Sequence, residues 1–239
     1  MRDLLDEYTF ARRIAGKSIG LQFQVYPQLD FRNRLVEMPR GLEVLTSVGG
    51  IDYGTVHPTA LVVVSIVRDH SDDVPAIGQP KGKAWVREVW FNDGRDSGDT
   101  FELNFNRNRL ERKFGVYRWG ADPNERFMAK NDPASVQNVA GARHAREYRI
   151  GLVTARLNQD KLFFDLNGEG VPGLYNEMRR VHRYKTRDGR IELRRYLDDR
   201  AAALEDAIEV IDGRVYRTMP SPMQRRYRQT GRVRELRRV

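Results

Sequence analysis

The sequence predicts an α/β domain built on a meander of antiparallel strands. Residues 59–67 form an uninterrupted apolar run, which is typical of a strand buried on both faces. Residues 83–91 alternate apolar or small side chains with polar ones, which indicates another strand. Residues 100–114 show the apolar spacing of a helix, and a second long helix over 201–211 follows two aspartates that suit its positive end.

The first half of the chain is predicted to supply most of the sheet. Residues 1–47 are interpreted as an N-terminal linker or extension, because glycine and proline interrupt them and they form no core of their own. Short turns between consecutive strands favour antiparallel pairing. The predicted strands are residues 47–52, 59–67, 83–91 and 116–122.

The second half is predicted to alternate helices with short strands. Asp132 and Pro133 suit the cap and first turn of a helix. Further short strands are predicted at residues 150–153 and 162–164, and helices at residues 172–183 and 201–211.

These elements assign one folded domain to residues 48–217 and a basic C-terminal tail to residues 218–239. The composition agrees with a globular domain, since 40% of the 239 residues are hydrophobic and 31% are charged. No apolar run approaches the ~20 residues that cross a bilayer, and the acidic start differs from a signal peptide. The absence of cysteine excludes disulfides and thiolate metal sites. A soluble, cytoplasmic protein without a membrane partner is therefore predicted.

The charge of the chain predicts a polyanionic partner. The net charge is +9, and arginines cluster with interleaved tyrosine and histidine, which suits phosphate contact and base stacking. A merely solubilising surface is the alternative. The predicted DNA-contacting residues are Arg179, Arg180, Arg183, Lys185, Arg225 and Arg226.

Acidic side chains at three separate places predict a metal site. Asp52 and Asp122 each end a predicted strand, and the Asp198–Asp199 pair begins the late helix. Carboxyl ends of strands and starts of packing helices converge at one edge of an α/β sheet. Together these carboxylates could hold one or two Mg²⁺ or Mn²⁺ ions. Taken singly, each aspartate also fits a turn or a helix cap.

Short motifs at these aspartates resemble the nuclease domain of the large terminase subunit of tailed bacteriophages. The resemblance lies in Gly-Ile-Asp-Tyr-Gly at 50–54, His-Pro-Thr-Ala at 57–60, Trp-Gly-Ala-Asp-Pro at 119–123 and Asp-Asp-Arg at 198–200. It implies an RNase H-like fold, in which helices flank a central mixed sheet. It also implies a metal-dependent endonuclease that cuts concatemeric viral double-stranded DNA during packaging, in the host cytoplasm.

The same resemblance implies roles for individual residues. Asp52, Asp122 and Asp199 would be catalytic metal ligands, with Asp198 as an auxiliary carboxylate and Mg²⁺ or Mn²⁺ as the cofactor. Many relatives carry a further aspartate where this chain has Ala202, and Asp206 follows one turn later. Whether Asp198, Asp199 or Asp206 completes the site is therefore left open.

The resemblance also implies partners. Large terminases carry a packaging ATPase domain and work with a portal and a small terminase subunit. Nothing in the sequence resembles a glycine-rich phosphate loop followed by Lys and Ser or Thr, so we expect the nuclease domain alone, with residues 1–47 leading toward the motor.

Three other classes share some of these features. An actin-like or sugar-kinase-like ATPase also begins with Asp-x-Gly-Thr, but it needs further glycine-rich nucleotide motifs that this sequence lacks. Another RNase H-like nuclease, of the Holliday-junction resolvase or RNA-processing type, is a second alternative. A basic, non-catalytic DNA-binding module is the third, and it would not require the three separated acids.

Overall fold

The computed structural model describes the central part of the chain. The described residues are 24–54, 58–68, 82–92, 100–121, 139–141, 145–185, 191–193 and 198–212. Asp122, Arg225 and Arg226 lie outside them. Within the described residues, no helix is both long and apolar enough to cross a membrane.

Seven strands of the described residues form one mixed sheet. The strands are β1 (Leu35–Val36), β2 (Val44–Asp52), β3 (Thr59–Val67), β4 (Lys83–Asn92), β5 (Val116–Ala121), β6 (Val139–Gly141) and β7 (Leu162–Asp165). Their order across the sheet is β1-β7-β4-β3-β2-β5-β6. The β2–β3 and β3–β4 pairs are antiparallel, while β5, β6, β7 and β1 are added in parallel. The predicted meander and mixed sheet are confirmed.

Helices lie on both faces of this sheet. They are α1 (Gln28–Phe31), α2 (Thr100–Phe114), α3 (Arg146–Asn158), α4 (Val171–Met178) and α5 (Asp199–Asp212). A separate hairpin joins β8 (Arg183–Lys185) to β9 (Ile191–Leu193). On one face α2 contributes Leu103 and Leu110 to a small core around Trp119. The larger core lies on the other face, beneath α3, α4 and α5.

The buried pattern of β3 explains why it lies centrally. All nine of its residues are buried, because helices cover both faces of the sheet and strands pair along both of its edges. Central strands with covered faces favour continuous β-branched runs such as Val62–Val64. The apolar run in the sequence therefore identified the middle of the sheet.

Two sequence predictions differ from the structure. Residues 150–153, predicted as a strand, lie inside α3, where Ile150, Leu152 and Val153 are buried on one helix face. A short apolar run fits a helix or a strand equally well, and only the flanking residues decide between them. The helix predicted over 172–183 ends at Met178, and the chain then enters the β8–β9 hairpin.

Part of the predicted N-terminal linker belongs to the folded unit. Tyr26 and Leu29 are almost completely buried in the larger core, and β1 pairs with β7 at the edge of the sheet. The backbone N–H of Val25 also donates to the carbonyl of Val181. Proline and glycine breaks hide this contribution in the sequence, because it consists of single anchoring side chains rather than a periodic element.

Candidate metal centre

Glycines let α5 lie directly on the sheet. A Cβ added to Gly50 in β2 would lie 1.7 Å from the carbonyl oxygen of Ala203, and one added to Gly120 in β5 would lie 2.4 Å from that of Asp206. Real Cβ atoms are not found at such distances. The two glycines therefore fix where α5 crosses β2 and β5, with its backbone against the strands.

The first turn of α5 lies at the carboxyl end of β2. The guanidinium of Arg200 stacks over the ring of Phe91, 3.7 Å from its centroid. Phe91 pairs with Ala60 across the sheet, and Ala60 pairs with Asp52. Because these residues form one row, the Arg200 contact places the start of α5 over the end of the strand that carries Asp52.

The last turn of α5 lies at the opposite end of the sheet. Asp212 forms a buried, bidentate ion pair with Arg156 of α3, at 2.6 and 2.8 Å. Arg156 also donates to the carbonyl of Gly82, just before β4 begins. The helix therefore runs antiparallel to β2 along the length of the sheet.

Asp52 and Asp199 both extend from the Gly50–Ala203 crossing toward the same end. Side chains alternate along a strand, so Asp52 is on the same face as Gly50, the face that α5 covers. Asp52 is two residues beyond Gly50, about 7 Å, and Asp199 is one helical turn before Ala203, about 6 Å. The structure thus brings these two half-buried carboxylates to one end of the sheet, on facing elements.

The third predicted carboxylate, Asp122, lies outside the described residues. It follows Ala121, and Ala121 pairs in parallel register with Ile51, the residue before Asp52. Among the residues that the structure does describe, no group of three carboxylate or imidazole side chains could hold a metal ion by itself. The role of Asp122 is therefore a prediction from sequence and register.

Asp198 is part of a buried ion-pair network. One carboxylate oxygen of Asp198 lies 2.6 Å from Nη1 of Arg146, and Nε of the same guanidinium lies 2.8 Å from Glu205. The hydroxyl of Tyr26 also donates to Glu205, at 2.7 Å. Burial lowers the pKa of Arg146, but the charges and hydrogen bonds of Glu205 and Asp198 outweigh it and raise that pKa above its usual range. The sequence did not predict this network of four side chains, which are Tyr26, Arg146, Asp198 and Glu205.

Asp206 also has a cationic partner. Its carboxylate lies 2.8 Å from Nη1 of Arg149, and both side chains are almost completely buried. Arg149 lies one turn after Arg146 on α3. Asp198 and Asp206 are the two alternatives to Asp199 as a metal ligand. Both are ion-paired with arginines of α3.

Glu177 caps α5 from another helix. One of its carboxylate oxygens accepts the backbone N–H of Ala201 at 2.9 Å, and the other lies 3.3 Å from Nη1 of Arg200. Burial raises the pKa of Glu177 to about 7, despite the Ala201 hydrogen bond and the Arg200 charge, which act in the opposite direction. Only tertiary packing shows this contact between the two helices.

Replacement of Glu177 by Gln should change how stability depends on pH. The folded-state pKa of about 7 lies above the usual 4.5, so wild type should lose stability as pH rises from about 4.5 to 7, and no more above that. Relative to the Gln variant, this loss should reach at most about 3.5 kcal/mol, since each pKa unit is worth ~1.4 kcal/mol. Urea unfolding of both proteins at several pH values measures the difference. A difference that is constant from pH 4.5 to 8 would contradict it.

The structure separates the predicted DNA-contacting cations. Arg179 lies 2.9 Å from Asp30 of α1, and Arg183 is ion-paired with Glu147 of α3. Arg180 is exposed, three residues after the Glu177 that caps α5. Of Lys185 only the backbone is described, in β8, and the tail arginines lie outside the described residues. The connection from α4 to β8 therefore begins beside the first turn of α5.

Comparisons with known proteins identify the fold. No protein-family profile and no curated protein sequence matches the chain. The structure is similar to the large terminase of the thermophilic bacteriophage D6E, with a TM-score of 0.61 and 15% identity over 79% of this chain and 46% of that one. It is also similar to the large terminase nuclease of thermophilic phage G20c with bound magnesium, with a TM-score of 0.56, 16% identity and coverage of 78% and 97%. The Thermus phage P74-26 large terminase nuclease domain gives a TM-score of 0.56, 16% identity and coverage of 80% and 96%.

These similarities show the class to which the fold belongs. The chain has the RNase H-like fold of phage large terminase nuclease domains, as the sequence motifs implied. It spans less than half the length of the D6E large terminase, but nearly all of the isolated nuclease domains.

Proposed function

We propose that this chain is a metal-dependent endonuclease that cuts double-stranded DNA during viral genome packaging. The observation that carries the proposal is the position of α5, whose first turn carries Asp199 over the end of β2 that carries Asp52. The terminase nuclease fold supports it, as does the G20c nuclease, which was solved with bound magnesium and with bound cobalt.

The donor groups fit Mg²⁺ or Mn²⁺. Asp52 and Asp199 offer carboxylate oxygens, which these hard cations prefer, and Asp122 would add a third. When bound, one or two such ions would supply Lewis acidity and activate a water for phosphodiester hydrolysis. The protein's part is to fix the spacing of the carboxylates on rigid backbone, through the glycine contact of α5 and the cap that Glu177 provides.

Digestion of supercoiled plasmid tests this function. Purified protein should nick and then linearise the plasmid with Mg²⁺ or Mn²⁺, with low sequence selectivity, and EDTA should stop the reaction. DNA binding that persists without cleavage in any divalent metal would favour the non-catalytic DNA-binding module instead. Preference for a four-way junction or for RNA over linear duplex would favour the other RNase H-like nucleases.

Arg180 should contact DNA, whereas Arg179 should mainly hold α1. The Arg180→Ala variant should bind duplex DNA more weakly and lower the slope of log affinity against log salt by about 0.9, the value for one phosphate contact. The Arg179→Ala variant should instead lower the melting temperature, because Asp30 then loses a partner. Fluorescence anisotropy without divalent ions, over a salt series, measures the slopes. Equal slopes for wild type and Arg180→Ala would contradict the contact.

The remaining partners follow from the same proposal. The D6E protein was solved with ADP and with ATP-γ-S, and this chain covers 44% and 52% of those two chains. We propose that a packaging ATPase, a portal and a small terminase subunit work with this chain, on double-stranded DNA in the host cytoplasm. Arg225 and Arg226 of the basic tail are proposed to contact DNA.

A further inference from the structure

The solvent-facing side of α2 carries two exposed phenylalanines. Phe101 is 77% exposed and Phe105 is 62% exposed, while Leu103 and Leu110 of the same helix are buried against the sheet. Residues four apart are neighbours on a helix surface, so the two rings form one phenylalanine patch. A single exposed apolar side chain is ordinary, but an adjacent pair of large aromatic rings favours a binding surface.

The phenylalanine patch lies at the same end of the sheet as Asp52, on the face opposite to α5. The side-chain amide of Asn92, the last residue of β4, donates to Glu102 in the first turn of α2 at 3.4 Å. Asn92 pairs with Thr59 across the sheet, and the Thr59 hydroxyl accepts the backbone N–H of Gly54, two residues after Asp52. A DNA strand that crosses this end of the sheet would therefore reach both Asp52 and the first turn of α2.

The spacing of the two rings suits one unpaired base. Four residues of a helix rise by about 6 Å. A base held between two rings needs about 7 Å, which is twice the ~3.4 Å separation of stacked bases. Aromatic rings stack on every kind of base, so such a site does not read sequence.

Positive charge continues along α2 from the phenylalanine patch. Arg112 is exposed and follows Phe105 by two helical turns, so it lies on the same side of the helix. Two turns rise by about 10 Å, the length of about three stacked nucleotides. Arg109 and Lys113 add two cations that share the carboxylate of Glu88. This part of α2 therefore suits the phosphates of a strand whose base lies at the phenylalanine patch.

The area of the phenylalanine patch is small for a stable protein partner. A specific protein–protein interface buries about 800 Å² on each partner. Two phenylalanines bury at most about 500 Å², and the exposed side of α2 continues with Asn108 and Arg112 rather than with apolar residues. A single base needs only the two ring faces. Area and charge together favour nucleic acid over protein.

We propose that Phe101 and Phe105 form a stacking site for one unpaired base of single-stranded DNA, with the following phosphates directed toward Arg112. The choice of DNA as the ligand rests on the proposed function. The site lies outside the metal centre and gives the protein a hold on a strand that frays from a duplex end.

A duplex with a short single-stranded tail tests the stacking site. Fluorescence anisotropy without divalent ions compares this probe with a blunt duplex of the same sequence. Phe101→Ala and Phe105→Ala should each bind the tailed probe about fivefold or more weakly than wild type, and the blunt duplex almost equally. The slope of log affinity against log salt should stay that of wild type, because a ring contacts no phosphate. Arg112→Ala should lower that slope by about 0.7, the value for one phosphate of a single strand.

Two further variants control this test. Phe105→Trp keeps an aromatic face and should bind the tailed probe at least as well as wild type. Tyr117→Ala removes an aromatic side chain that is 49% exposed at the start of β5, the opposite end of the sheet, and should change nothing. Melting temperatures should match wild type throughout, since all these rings are exposed.

Two results would overturn the stacking site. One is equal affinity of wild type, Phe101→Ala and Phe105→Ala for the tailed probe. The other is a wild-type dimer in light scattering that both alanine variants convert to a monomer, without loss of DNA affinity, which would assign the phenylalanine patch to contact between copies of the chain. Since binding is measured without metal, plasmid that stays uncut in every divalent metal would overturn the proposed function and not a measured stacking site.

Discussion

Replacing Asp52 with Asn should abolish DNA cleavage and leave the fold intact. Asp52 ends β2 on the face that α5 covers, at the end of the sheet where Asp199 begins the helix. Loss of one metal ligand removes several kcal/mol of transition-state stabilisation, so the rate should fall by about 10³ or more, at ~1.4 kcal/mol per factor of ten. The neutral amide also relieves repulsion between carboxylates, so we expect a melting temperature without metal close to that of wild type.

Glu43→Gln is the matched control for this variant. Glu43 immediately precedes β2 at the opposite end of the sheet, where its exposed carboxylate pairs with Arg68. The substitution also removes one negative charge, but at the other end of the same strand. An exposed ion pair contributes little to stability. Plasmid cleavage by Glu43→Gln should match wild type.

Thermal shifts with Mn²⁺ complete the test. A ligand that binds only the folded state raises the melting temperature, so Mn²⁺ should stabilise wild type and Glu43→Gln but stabilise Asp52→Asn much less. If Asp52→Asn cuts plasmid as fast as wild type, the metal centre lies elsewhere on the chain.

The strands were predictable because each is marked by local chemistry. The apolar run of β3 predicts its complete burial, and the apolar and aromatic residues of β4 predict a strand, although β4 is buried at consecutive residues 84–86 rather than at alternate ones. The local sequence does not predict what the glycine pair before Ile51 contacts. Its role appears only when α5 lies on Gly50, a contact between residues more than 150 positions apart.

The choice among the late carboxylates could not be predicted from local sequence. Asp198, Asp199 and Asp206 are equivalent as residue types, and each fits a metal ligand. Asp198 and Asp206 each meet an arginine of α3, and Arg146 and Arg149 carry no motif that announces these contacts. Residues 150–153 were wrongly predicted as a strand for a related reason, because the helix that presents these arginines is recognisable only over its full length.

Replacing Gly50 with Ala should destabilise the protein and separate the two halves of the proposed metal centre. The new Cβ would lie 1.7 Å from the carbonyl oxygen of Ala203, which belongs to helix backbone and cannot rotate away. The whole helix must therefore move off β2. Overpacking of this kind costs about 3 kcal/mol or more, which lowers the melting temperature of a domain of this size by about 6–12 °C.

Gly151→Ala is the matched control, since it makes the same chemical change in open space. A Cβ at Gly151 of α3 would meet nothing within 4 Å, and alanine favours a helix over glycine by about 0.5–1 kcal/mol. This variant should be as stable as wild type or slightly more so, with full activity. Gly50→Ala should cut DNA at least tenfold more slowly even well below its melting temperature, because Asp199 moves with α5 while Asp52 stays on β2. If Gly50→Ala instead behaves like Gly151→Ala, α5 does not rest on β2 at this point, and this contact does not bring Asp52 and Asp199 together.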